Sequence, residues 1–144
     1  MHLSRATDIA LRVVMLAAAD GGRLTVEEMA TALEVPRAHL AKVVQRLQHH
    51  GFATTVRGRA GGVQVPASVL TASVGAVVRA FEGEDEVVEC EAPACPLRGV
   101  CRLRGALRDA QAAFLASLDE VALADLLAEP TGPVLVELLQ RRTG

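Results

Sequence analysis

Three cysteines, Cys90, Cys95 and Cys101, stand within the twelve residues "CEAPACPLRGVC", and the 144-residue chain has no others. An odd number of thiols cannot all pair within one chain. The count therefore favours a reducing compartment, with the cytoplasm the natural expectation, and metal or redox chemistry over a disulfide framework. The spacing is C-x4-C-x5-C. Structural zinc usually draws on close cysteine pairs completed by a second pair or by histidines, and here no histidine follows His50, so zinc is the poorer fit. An iron-sulfur cluster asks for thiolates that reach different corners of a larger object, which wider gaps in a single loop allow. The plain alternative is a set of free thiols, but three of them among Pro93, Pro96 and Gly99 argue against it.

A second group of residues has different chemistry. Arg37, His39, Lys42 and Arg46 share a short segment, and Arg57 and Arg59 follow in "RGRAGG". Arg and Lys can meet DNA phosphates or the acceptor atoms of guanine in the major groove. The alternative is that these charges only solvate a helix face.

The elements that must position both groups are legible as patterns. Residues 4–19 read as a first helix with Ser4 as its cap and "DGG" as its stop. Thr25 and Glu28 have the spacing of a capping box and start a short second helix that ends by Val35. Pro36 suits the first turn of a third helix, in which Leu40, Val43, Val44 and Leu47 recur at helical spacing. Its other face carries Arg37, His39, Lys42, Gln45, Arg46 and His49.

"FATTVRGRAGGVQVP" then reads as a two-stranded ribbon with a glycine-rich tip. A fourth helix is expected at about 71–82, with Val74, Val77, Val78 and Phe81 on one face. After the cysteine loop, Leu103, Leu107, Ala110, Phe114 and Leu118 have the spacing of a long amphipathic helix whose seam resembles a short coiled-coil stripe. "DEVALADLLAEP" and "PVLVELLQRR" can add one or two short helices.

Helix, helix, basic helix and glycine-tipped ribbon is the order of a winged helix-turn-helix. Such a fold lays its third helix in the major groove, with Arg57 and Arg59 of the ribbon along the backbone or minor groove. Charge is distributed accordingly. Residues 1–66 carry eight Arg/Lys against five Asp/Glu, whereas residues 67–144 carry seven against twelve. A basic front and an acidic rear are expected where one part alone meets a polyanion.

The chain is long enough to bury a core without covalent staples. Its opening, "MHLSRATDIALRVVMLAAADGG", is interrupted by Asp8 and Arg12 and reads as an amphipathic helix rather than a leader. No apolar run approaches the ~20 residues needed to span a bilayer, so no membrane association is expected. Apart from the cysteines there is no constellation of acid, base and nucleophile, and an enzyme is not expected.

The motifs "TDIALR", "RLQHHG", "RGRAGG" and "EGEDEVVECEAPACPLRGVCRLRGALRDAQ" together resemble the bacterial family of iron-sulfur winged-helix transcription regulators, most closely its nitric-oxide-sensing branch. The resemblance covers most of the chain. It implies a homodimeric repressor that binds pseudo-palindromic double-stranded operator DNA and releases it when nitric oxide attacks the cluster. It also implies a 4Fe-4S cluster held by Cys90, Cys95 and Cys101, with Asp8 of the other subunit as the remaining ligand and Arg12 and Glu82 beside it.

Another branch places a histidine ligand three residues after the third cysteine; that position is Arg104 here. The first gap in the loop is four residues where family members commonly have five. On spacing alone, Asp8 and Arg12 stand four residues apart and also suit a simple surface ion pair. Six acidic residues between 82 and 91, Glu82, Glu84, Asp85, Glu86, Glu89 and Glu91, suit a solvated loop and should lower the potential of a nearby cluster.

The expected protein is mainly α. It comprises a winged helix-turn-helix DNA-binding domain over 1–82, a cluster-binding loop over 83–102, and a dimerisation helix with a helical tail over 103–144. Two alternatives stay open: a winged-helix sensor of redox state or iron-sulfur supply with a 2Fe-2S cluster, and, from another class, an iron-sulfur carrier or electron-transfer protein.

Overall fold

The structure, a computed structural model, describes residues 2–91 and 93–141. Met1, Ala92 of the cysteine loop and residues 142–144 at the end of the expected tail lie outside the described residues.

Helix α1 spans Arg5–Asp20. The Ser4 hydroxyl accepts from the Thr7 N–H at its start, and Gly21, at φ 66°, closes its end in the left-handed conformation. Helix α2, Val26–Ala32, begins with the expected capping box between Thr25 and Glu28. Helix α3, Arg37–His49, follows with Pro36 at the capping position, one residue earlier than expected. A helix leaves its first N–H groups unpaired, so a residue without one fits at either place. Leu40, Val43, Val44 and Leu47 form its buried face.

Strands β1 (Thr54–Val56) and β2 (Gly62–Gln64) pair antiparallel with Thr55 opposite Val63. Gly61 is required at the hairpin tip, because a Cβ there would collide with the Val56 carbonyl oxygen. Leu24 adds a short third pairing to Val63, which fastens the ribbon to the end of the α1–α2 connection.

Helix α4, Val74–Glu82, starts later than the expected 71. The Ser73 hydroxyl accepts from the Ala76 N–H and caps it, and a 3-10 turn at Ala67–Thr71 occupies the preceding residues. The cysteine loop leads into the 18-residue helix α5, Arg102–Asp119. A second 3-10 turn, Leu123–Leu127, and helix α6, Thr131–Gln140, complete the described chain.

The tail does not stand apart. Leu123, Leu135 and Leu139 join the same buried cluster as Val13, Leu16, Leu40, Leu47 and Val77, so α6 folds back upon α1. Helix α4 and the end of α5 are tied by Arg79, which holds both carboxylate oxygens of Asp119 at 2.6 and 2.7 Å. Gly75 leaves room for that carboxylate, since a Cβ there would collide with it.

The seam expected on α5 divides in two. Phe114 and Leu118 turn inward against the core together with Leu115. The face left in solvent carries Leu103, Ala106, Ala110 and Ala113, with the small polar Ser117 at its end. These positions recur at alternating spacings of three and four. Leu103 is 64% exposed. The expected stripe mixed the two faces because a long amphipathic helix with two apolar stripes satisfies more than one periodic template.

Candidate nucleic-acid interface and cysteine centre

With Leu40, Val43, Val44 and Leu47 inward, the helical period puts Ala38, Lys42, Gln45 and His49 on the outermost strip of α3. All four are exposed. His39 is half-buried on one flank. Arg37 lies on the other flank and pairs with Glu27 of α2 at 3.0 Å. Gln45 and His49 thus stand further out than two of the residues singled out from the sequence; the signal was present in the period of the buried face.

Arg57 and Arg59 lie exposed at the ribbon tip. The tip is held by Arg23, whose guanidinium donates to the Ala60 carbonyl at 3.2 Å. Gln48 of α3 donates to the Thr55 hydroxyl at 2.6 Å, so helix and ribbon are bonded to each other. Lys42, Arg57 and Arg59 have their charges in solvent, as contact with a polyanion requires.

Arg46 is placed differently. Its guanidinium sits 4.2 Å from the centre of the Phe81 ring and donates to the Phe81 carbonyl at 3.0 Å. This joins α3 to the last turn of α4. The next residue, Glu82, accepts from the Ser4 backbone N–H at 2.6 Å and from the Thr7 hydroxyl. Thr7 is fully buried. Burial pushes the Glu82 carboxyl up, but the bonds from Thr7 and Ser4 and the charge of Arg46 outweigh it, leaving its pKa below the usual carboxylate value. Phe81 and Glu82 therefore tie together α3, the start of α1 and the root of the cysteine loop.

Asp8 and Arg12 form the helix-surface pair that their spacing suggests, at 2.9 Å, with both side chains about half exposed. Nothing within the described chain brings Asp8 to the thiols as a shared single-ion site.

Cys90, Cys95 and Cys101 are all free of disulfides and half-exposed. The loop is built from successive turns: the Cys95 N–H donates to the Cys90 carbonyl, Arg98 to Cys95, and Val100 to Leu97. Cys101 caps α5, its sulfur accepting from the Arg104 N–H at 3.5 Å. The acidic stretch is mostly exposed, as expected of a solvated loop, with Glu86 half-buried. Glu86 is held by Arg104 and Glu91 by Arg98. The Arg104 hydrogen bond holds the Glu86 carboxyl below its ordinary value against a smaller effect of burial.

Among the described residues no three His, Cys, Asp or Glu side chains stand close enough to share a single metal ion. A cluster differs in what it asks, because its thiolates bind separate irons and stand further apart than the ligands of one ion. Three accessible thiols in one short loop, one at a helix start, fit the donor chemistry of an iron-sulfur cluster. They do not fit a single-ion site. Among the described residues no helix is long and apolar enough to cross a membrane.

Residues 3–129 match the Rrf2 family, described as "Iron-dependent Transcriptional regulator". The HTH-type transcriptional repressor NsrR of Streptomyces coelicolor is 50% identical over 148 aligned residues, covering the whole of both chains. The HTH-type transcriptional regulator NsrR of Geobacillus kaustophilus is 38% identical over 149, again covering both.

Among solved structures, CymR, the global cysteine regulator of B. subtilis, superposes with a TM-score of 0.72 at 20% identity, over 88% of this chain and 95% of that one. T. potens IscR superposes with a TM-score of 0.68 at 18% identity, over 88% and 86%. The structural likenesses speak for the winged-helix fold, and the sequence match speaks for descent: the chain belongs to the Rrf2 family of transcriptional regulators.

Proposed function

We propose that this protein is a homodimeric, DNA-binding transcriptional repressor of the NsrR kind that works in the cytoplasm and senses nitric oxide through an iron-sulfur cluster. The observation that carries the reading is the connection at Phe81 and Glu82. The helix that faces DNA and the root of the cysteine loop are bonded through these two adjacent residues, so a change in the loop has a short covalent and hydrogen-bonded route to α3.

The roles of the residues follow. Lys42 and Gln45 face the major groove from α3, flanked by Arg37 and His39. Arg57 and Arg59 reach the phosphate backbone or minor groove from the ribbon. Arg46 holds α3 against α4, which orients the helix rather than reading a base. Cys90, Cys95 and Cys101 would hold a 4Fe-4S cluster, and Asp8 of the second subunit would supply its remaining ligand, with Arg12 and Glu82 orienting the start of α1.

A carboxylate oxygen from Asp8 in place of a fourth thiolate would leave one iron more open to nitric oxide, which is the chemistry the cluster would supply. The exposed face of α5, Leu103, Ala106, Ala110, Ala113 and Ser117, packs against its counterpart in the dimer. Small residues there let two helices approach closely. A twofold dimer then recognises a pseudo-palindromic operator with half-sites in successive major grooves. In this arrangement residues 1–82 form the DNA unit, 83–102 the sensing loop and 103–144 the dimer unit with its tail.

The test is operator affinity measured without oxygen, before and after nitric oxide. A large loss of affinity is expected; unchanged affinity rejects the sensing role.

A further inference from the structure

We propose that Arg104 is a positioning residue for the three thiols, its bidentate pair with Glu86 acting as a clasp that closes the cysteine loop before any cofactor arrives. This rests on the reading of Cys90, Cys95 and Cys101 as cluster ligands.

The guanidinium of Arg104 donates from Nε to one Glu86 oxygen at 2.5 Å and from Nη2 to the other at 2.8 Å. Both side chains are about two-thirds buried. The two residues bracket the loop, with all three cysteines between them. Two helical turns further along α5, Gln111 donates to the Asp85 carbonyl at 2.9 Å. Residues 104 and 111 lie on the same helix face, so the stretch 85–86 is held against α5 at two points.

Arg104 also meets the thiol of Cys101 and shares a cleft with Cys90. Its backbone N–H is the one that Cys101 caps. It lines two clefts, one with Cys90 and the other with Cys101. A single residue therefore addresses the first and last thiols of the loop and the carboxylate that closes it.

Closing a loop in advance removes a cost that ligand binding would otherwise bear. Arginine is needed for this because its planar fork matches both carboxylate oxygens, whereas lysine offers a single point charge.

The experiment compares wild type, Arg104→Ala, and the exchange Arg104→Glu with Glu86→Arg, all reconstituted without oxygen. Iron release to a chelator is followed by the visible absorption, and folding by far-ultraviolet circular dichroism. Arg104→Ala is expected to release iron roughly ten- to a hundredfold faster with an unchanged far-ultraviolet spectrum, and the exchange is expected to recover most of the loss. Release at the wild-type rate from Arg104→Ala, or no recovery in a folded exchange variant, overturns the proposal.

Should wild type bind no iron, the cluster reading fails and the clasp is judged on the iron-free protein. There, amide hydrogens of residues 86–101 are expected to exchange faster in Arg104→Ala than in wild type, and equal exchange overturns the clasp.

Discussion

Glu82 accepts from Ser4 and Thr7, and those bonds favour its ionised form. Its pKa is depressed in the folded chain, so its contribution to stability is fully present above the unfolded carboxylate value of about 4.3 and is lost as pH falls through the lowered folded value. Glu82→Gln is expected to flatten the acid limb of a stability-against-pH curve measured by urea unfolding, while leaving neutral-pH folding cooperative. An unchanged acid limb would mean the tie to α1 contributes nothing.

Asp8 allows a second test at this scale: Asp8→Ala is expected to keep the cluster but alter its visible circular dichroism and its rate of reaction with nitric oxide. An identical spectrum and rate would assign the ligand elsewhere. The Asp8–Arg12 pair was legible from a spacing of four. The bond from Arg46 to Phe81 was not, because it joins residues 35 apart in sequence, and no local period reports such a contact.

At the scale of elements, the helices, caps and ribbon followed from local rules because caps and periodicity are local. Thr25 with Glu28, Ser4 before α1, and the glycines of "RGRAGG" each announce a boundary. The division of α5 into two faces could not be read without knowing where α4 lies. Its exposed face makes a prediction: Ala113→Glu is expected to convert a dimer to monomers in sedimentation without altering helix content. A persisting dimer would place the interface on another surface.

The outer strip of α3 makes another. Removing one cationic partner of a phosphate reduces the slope of log affinity against log salt, so Lys42→Ala is expected to lower that slope by about one. An unaltered slope would remove Lys42 from the interface.

At the scale of the whole molecule, the acidic rear is not an independent unit. Leu135 and Leu139 of α6 share the core with α1 and α3, and Arg79 with Asp119 fastens α5 to α4. Composition alone separated a basic half from an acidic half because charge lies on surfaces, whereas the core that unites them is apolar in both. Such a body can convey a change at the cysteine loop to α3. Shifting DNA binding ten-thousandfold requires about 5.5 kcal/mol of difference between two states, a demand spread over the ties at Phe81, Glu82 and the dimer face.

The central requirement is that the thiols hold iron and sulfide. Native mass spectrometry of protein purified without oxygen tests that most directly. Each subunit of a dimer is expected to carry the mass of four irons and four sulfides, and a dimer of bare polypeptide mass would contradict the account.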